Sequence, residues 1–162
     1  MPEFSIHVDD TAWQDALDLL LTLIPGVLQD AGHEGAEEIA REAQFSLAEH
    51  AHGFGTYSDA PVGGPPGEIS GELGGSYVIE DTDDGAKVGP TAPYAREQEL
   101  GGPMSGHPWM HWRNEGGIWY RKLVVLGPRP YHKPATERVI SSGQLTVIYV
   151  DYMEKAILEV TG

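Results

Sequence analysis

The chain has 162 residues, 40% of them apolar, which is enough for one domain with a single core. It contains no cysteine, so a disulfide framework, a thiolate nucleophile and a cysteine-based zinc site are excluded. The formal net charge is −15, and residues 1–89 hold 18 Asp/Glu against 2 Lys/Arg. Because this acidic half repels phosphate, sequence-specific DNA binding is not expected.

No segment has the length and apolarity of a membrane span, and the first residues lack the pattern of a secretory signal. We therefore expect a soluble protein, made in a cytoplasm, that contacts no membrane.

The first third predicts an N-terminal arm and helix (residues 1–24) followed by a longer helix. Apolar and polar residues alternate over residues 4–8, and apolar residues then recur at helical spacing up to Ile24. Pro25-Gly26 is predicted to end the first helix, and a second runs from Val27 to about His52 with one apolar stripe.

Residues 53–75 are rich in Gly and Pro and are predicted to form a flexible loop. Residues 76–80 and 86–88 are predicted to form two strands, because turn-forming residues, mostly Asp, lie between them.

The stretch GPTAPYAREQELG, from Gly89 to Gly101, predicts the end of a strand, a tight corner and a short helix from Tyr94 to Leu100. Gly101 is predicted to close that helix with a backbone conformation that favours glycine. The stretch has no nucleophile–base pair and no metal-ligand spacing, so it indicates a structural role.

Residues 102–126 are predicted to be an inserted loop and β-hairpin, with strands at 109–112 and 118–126. A final helix is predicted from Pro134 or Ala135 to Val160, although Gly143 within it costs about 1 kcal/mol relative to Ala. Together these elements predict an α+β fold in a single domain, residues 1–162: a small antiparallel sheet packed against a long N-terminal helix and a C-terminal helix.

Enzymatic chemistry is weakly supported by the residue pattern. Of the histidines that would serve a small metal-dependent hydrolase, His50 and His52 are two positions apart and so face different directions, whereas His107 and His111 are four apart but bracket Pro108, which argues against a helix. No HExxH motif is present. Four large rings, Trp109, Trp112, Trp119 and Tyr120, suit either core packing or an interface.

Three short patterns occur in order along the chain. SGELGGS spans Ser70 to Ser76, YAREQELG spans Tyr94 to Gly101, and PYHKPA spans Pro130 to Ala135. Together they resemble the motifs TG-x-L-x-x-S, YA-x-x-x-E-x-G and P-F-hydrophobic-x-P-A of the head–tail joining (neck or tail-completion) proteins of long-tailed double-stranded DNA bacteriophages. The resemblance covers residues 25–160, with Tyr131 in place of the usual Phe.

The resemblance implies a structural virion protein of the phage neck without enzymatic activity or cofactor. It implies a homo-oligomeric ring of six or twelve subunits that contacts head-side connector or stopper proteins and tail terminator or tail tube proteins. DNA would pass through the ring without sequence-specific binding. The residues expected to serve packing or interfaces are Tyr94, Arg96, Glu99, Trp109, Trp112, Trp119, Tyr131 and Pro134.

Three alternatives remain open from the sequence. One is a tail terminator or minor tail protein of the same particle. Another is the small metal-dependent hydrolase that would use the four histidines. The third is a binding module whose acidic helices mimic DNA toward a basic partner.

Overall fold

The computed structural model describes residues 11–53, 63–67, 70–114 and 117–161, without the side chains of 105–122 and 124. Residues 4–8, predicted to form a strand or an extended arm, and much of the predicted loop at 53–75 lie outside this description. The loop prediction is wrong for residues 72–75, which form a short helix. The elements are α1 (Thr11–Ala48), α2 (Glu72–Gly75), β1 (Tyr77–Thr82), β2 (Gly85–Pro90), α3 (Ala95–Leu100), β3 (Gly102–Asn114), β4 (Gly117–Leu126), α4 (His132–Ser141) and α5 (Gln144–Thr161).

The predicted α+β class is confirmed. The long helix α1 contacts the β1–β2 hairpin and the helices α2, α4 and α5, so most of the fold is built along it. Its second half supplies all eight of its buried residues, which begin at Ala31. No helix within the described ranges is long and apolar enough to cross a bilayer.

The prediction of two helices separated at Pro25-Gly26 is wrong, because α1 continues through both residues. Proline removes one N–H from the helix, so the carbonyl four residues earlier, on Leu21, loses its helical partner. Leu21 is 58% exposed. Water can therefore reach this part of the helix, and the lost hydrogen bond costs less than it would in a core.

Small residues on α1 let two other elements approach it closely. A Cβ added at Gly32 would lie 2.6 Å from the Cα of Gly85 in the β1–β2 hairpin. A Cβ added at Gly35 would lie 2.9 Å from the Leu145 side chain of α5. Both glycines therefore set how closely α1 packs against its neighbours.

Strands β1 and β2 form an antiparallel pair that is longer than predicted. The register runs from Tyr77 opposite Pro90 to Thr82 opposite Gly85. Gly85 has φ 150°, a value that favours glycine, and a Cβ there would lie 4.0 Å from the Tyr149 hydroxyl. The hairpin end thus lies against both α1 and α5.

The β3–β4 pair confirms the predicted β-hairpin, with Trp112 opposite Trp119 in the backbone register. The prediction that the first strand begins at residue 109 after a loop is wrong, because β3 already begins at Gly102. The register is irregular between Ser105 and Met110. Pro108 lies within this irregular part, where its missing N–H interrupts the ladder at little cost.

The prediction of one continuous last helix is also wrong. Helices α4 and α5 are separated at Gly143, which has φ +77°. This left-handed conformation suits glycine, so the residue expected only to weaken the helix ends it. Ile140 of α4 and Leu158 of α5 are 58% and 68% exposed.

Candidate functional site

The carboxylate of Glu99 caps the N-terminus of α4. Its Oε2 accepts hydrogen bonds from the backbone N–H of Tyr131 at 2.8 Å and of His132 at 3.0 Å. Its Oε1 accepts a third from the backbone N–H of Lys133 at 3.0 Å. The residue at the cap position, Tyr131, provides no side-chain cap of its own. A side chain from α3 therefore satisfies the free amides of a helix some 30 residues later.

Tyr131 lies at the centre of the core. It is 1% exposed and belongs to one cluster with Leu47 of α1, Leu73 of α2 and Ala95 of α3. Its hydroxyl donates a 3.4 Å hydrogen bond to the carbonyl oxygen of Ala95. The ring therefore joins four helices that are far apart in the sequence.

The first of the three motifs, Ser70 to Ser76, lies at the same core, because it contains Leu73. The Ser76 hydroxyl donates to the carbonyl of Leu73 at 2.8 Å, and the Ser76 carbonyl accepts from the N–H and the hydroxyl of Thr91 at 2.9 Å each. Ser70 accepts from the N–H of Glu72 at 3.3 Å. Both motif serines therefore make hydrogen bonds with the backbone: the Ser76 hydroxyl donates to it and the Ser70 hydroxyl accepts from it.

Gly101, the last residue of the second motif, has φ +72°. A Cβ at this position would lie 2.8 Å from the backbone N of Pro128 and 2.9 Å from the carbonyl oxygen of Leu126. Arg129 donates its N–H to the carbonyl of Gln98 at 2.8 Å. The end of α3 is thus held against the chain that leads into α4.

A tyrosine–histidine pair lies beside this core. The Tyr77 hydroxyl is 3.1 Å from Nδ1 of His132, and the two rings are 5.8 Å apart between centroids. Burial raises the pKa of the Tyr77 phenol. Burial also lowers the pKa of His132, although the nearby Glu99 carboxylate opposes that change. Both groups are therefore held in their neutral forms near pH 7.

The remaining predicted residues have different surroundings. Tyr94 is partly buried against the core cluster, and Pro134 is partly buried in the first turn of α4, where a missing N–H is tolerated. The Arg96 side chain is 79% exposed, with a long 3.9 Å contact to Glu97. The side chains of Trp109, Trp112 and Trp119 lie outside the described part of the structure.

A cleft of about 720 Å³ lies between α1, the β1–β2 turn and α5. Its glycine-rich floor includes Gly35, and its polar lining includes Asp84, Lys87 and Tyr149. Just outside it, Nδ1 of His33 is 2.6 Å from the Asp81 carboxylate. This hydrogen bond raises the pKa of His33 and ties α1 to β1.

The first half of α1 leaves large apolar side chains in solvent. Trp13, Leu17 and Leu21 recur at four-residue spacing, so they lie along one side of the helix. They are 70%, 42% and 58% exposed. The sequence predicted this apolar face but not that it would be left uncovered, because the pattern is the same for a core and for an interface.

No group of three or more His, Asp or Glu side chains in the described part of the chain could hold a metal ion. His107 and His111 lie in the part of β3 whose side chains are not described. The hydrolase alternative therefore stays a prediction.

Comparison of the chain with models of known protein families, with curated proteins and with solved structures finds no match.

Two features of this site were missed by the sequence reasoning. The capping role of Glu99 has one signal in the sequence: α4 begins without a Ser, Thr, Asp or Asn before it, so a cap must come from elsewhere. The pairing of Tyr77 with His132 has no local signal, because 55 residues separate them.

Proposed function

We propose that the chain is a structural protein of a phage virion, a head–tail joining subunit that acts by assembly and not by catalysis. The observation that supports this best is the convergence of three separated motifs on one packed corner. Glu99 of the second motif caps the helix begun by the third, and Tyr131 of the third packs on Leu73 of the first.

The chemistry of these residues favours a structural role. The Glu99 carboxylate accepts three backbone hydrogen bonds, so it is engaged in holding α4. Tyr131 is almost fully buried and has no open surface at which to meet a substrate. Residues used in capping and packing specify a fold, which agrees with a family whose shared motifs are not catalytic.

In the proposed assembly the chain forms a ring of six or twelve copies at the neck. The ring contacts head-side connector or stopper proteins on one side and tail terminator or tail tube proteins on the other. Acidic side chains along the lumen would let DNA pass without adhesion, since like charges repel.

The test is to inactivate the gene in the phage that encodes the chain. Filled heads and finished tails that do not join are expected, with joining restored by the wild-type gene. In intact particles, density for the chain is expected at the neck. Unjoined heads with tails of irregular length would instead favour the tail terminator.

Absence of the chain from purified particles would contradict the proposal. Stoichiometric zinc or manganese in the purified protein, with a hydrolytic activity lost on replacing His50 or His52 by Ala, would favour the hydrolase.

A further inference from the structure

We propose that the first half of α1 in one copy docks on the corner formed by α3, β4 and α4 of a second copy, head to tail. This inference rests on the proposed assembly and names the surfaces that form it. The arm is defined as residues 11–28, with its exposed stripe Trp13, Leu17 and Leu21. The corner surface is defined as Arg96, Leu100, Leu123, Val125 and Lys133.

The arm is apolar and acidic. No residue between Thr11 and Gln29 is buried, although nearly half of them are large and apolar. The arm itself contains Asp15 and Asp18 and no Lys or Arg, a net of −2. Exposed apolar surface of this extent marks an interaction site, and the charge requires a basic or neutral partner.

The corner surface is apolar and basic. Leu100 is 62% exposed and follows Arg96 by one helical turn, so the two share a side of α3. Leu123 and Val125, two residues apart on one face of β4, are 56% and 73% exposed. The Lys133 side chain is 77% exposed and lies 3.8 Å from the Glu137 carboxylate, and the Arg96 side chain is 79% exposed and lies 3.9 Å from Glu97.

These elements are contiguous and carry the opposite charge to α1. The α3 end lies against β4, because a Cβ at Gly101 would be 2.9 Å from the Leu126 carbonyl. Lys133 is tied to α3 through the hydrogen bond from its backbone N–H to Glu99. Residues 96–133 hold six Lys/Arg against three Asp/Glu, a net of +3.

The arm and the corner surface of one copy are too far apart to meet. Ala95 of α3 and Tyr131, which precedes α4, pack in one cluster with Leu47 near the C-terminal end of α1. Leu17 lies 30 residues earlier in the same helix. At 1.5 Å per residue this is about 45 Å of helix. A contact between the two surfaces must therefore join different copies.

Charge selects this contact over an arm-to-arm contact. Pairing two arms would bring Asp18 of each copy close together without any basic residue to neutralise it. Docking the arm on the corner surface places that carboxylate near Arg96 and Lys133. Since the two surfaces differ, the contact is heterologous, and its repetition forms a ring or a chain of copies.

The test uses the absence of cysteine from the chain. Leu17→Cys and Leu100→Cys are made as separate proteins, mixed, and treated with a short bis-maleimide reagent. A dimer linked between positions 17 and 100 is expected in the mixture, and little dimer with either protein alone. Asp83→Cys, at the exposed β1–β2 turn, is the control and should not link to Leu100→Cys.

Substitution gives a second measurement. Leu17→Asp and Val125→Asp should each weaken self-association at least tenfold by analytical ultracentrifugation, since each places an unpaired charge in the contact. A mixture of the two should form a dimer, because one partner keeps its arm and the other its corner surface. Leu19→Asp, on the opposite side of α1, should leave association unchanged.

Linkage between two copies at position 17, or no linkage between 17 and 100 in a mixture that forms oligomers, would overturn the inference. If the mixture stays monomeric in solution, the same reagent is applied to purified particles whose copies carry both cysteines. No product linked between positions 17 and 100 in those particles would also overturn the inference. Absence of the chain from the particles contradicts the proposed function alone, and its presence there without this linkage contradicts only the docking.

Discussion

The Glu99 carboxylate lies 2.8 Å from the backbone nitrogen of Tyr131, although the two residues are 32 positions apart. This contact joins the second and third motifs, and it places the cap of α4 on a different helix. The N-terminus of α4 therefore depends on α3 for its cap, since Tyr131 provides no side-chain cap of its own.

Replacing Glu99 by Ala should lower the free energy of unfolding by about 2 kcal/mol, because three backbone N–H groups lose a charged acceptor. Glu99→Gln should cost less, since its amide oxygen can still accept. Urea denaturation followed by circular dichroism measures both. Glu137→Gln, which makes the same charge change on an exposed part of α4, should change stability little. Equal losses for Glu99→Ala and Glu137→Gln would contradict the capping role.

Replacing Tyr131 by Ala should lower the free energy of unfolding by about 3–5 kcal/mol, since a fully buried ring leaves a cavity. Tyr131→Phe keeps the ring and loses the long 3.4 Å hydrogen bond from the hydroxyl to the carbonyl oxygen of Ala95. It should therefore cost no more than about 1 kcal/mol. Thermal and urea denaturation distinguish the two, and a Phe variant as unstable as the Ala variant would show that the hydroxyl matters more than the packing.

Two Gly→Ala substitutions on α1 should act in opposite directions. Gly26→Ala should stabilise the protein by about 0.5–1 kcal/mol, because nothing lies within 4 Å of the added methyl group and alanine is the better helix former. Gly32→Ala should destabilise it by about 1–3 kcal/mol, because the methyl group would overlap Gly85. If both variants are stabilised, α1 and the β1–β2 hairpin are not packed as described.

Acidification should weaken the fold through His132. Burial lowers its pKa below the ordinary 6.5, so the unfolded chain binds the proton more readily. The neutral ring therefore contributes stability in full above pH 6.5, and this contribution is lost as the pH falls through 6.5 toward the folded-state pKa. His132→Gln should flatten the pH dependence of the urea midpoint between pH 5 and 7. An unchanged slope would contradict this assignment.

His33 should act with the opposite sign. Its hydrogen bond to Asp81 raises its pKa above 6.5, so its contribution is fully present below pH 6.5 and is lost as the pH rises through the folded-state pKa. His33→Gln should therefore reduce stability more at pH 6 than at pH 8. A loss that is equal at both values would indicate that the ring contributes only through packing.

The sequence by itself determined the α+β class and the order of most elements. Helical spacing of Ala31, Gly35, Ala43 and Leu47 predicted the buried side of α1, and the Asp-rich turn predicted the β1–β2 hairpin. These signals are local, because the period of a helix and the backbone preferences of a turn are properties of neighbouring residues.

Only the tertiary structure decided the rest. Pro25 stays inside α1 because that part of the helix faces solvent, whereas Gly143 ends α4 because its backbone is left-handed. The roles of Glu99 as a cap and of Tyr131 as the centre of the core come from residues more than 30 positions away. Local pattern cannot predict such contacts, because their energy depends on which distant groups the fold brings within hydrogen-bonding or packing distance.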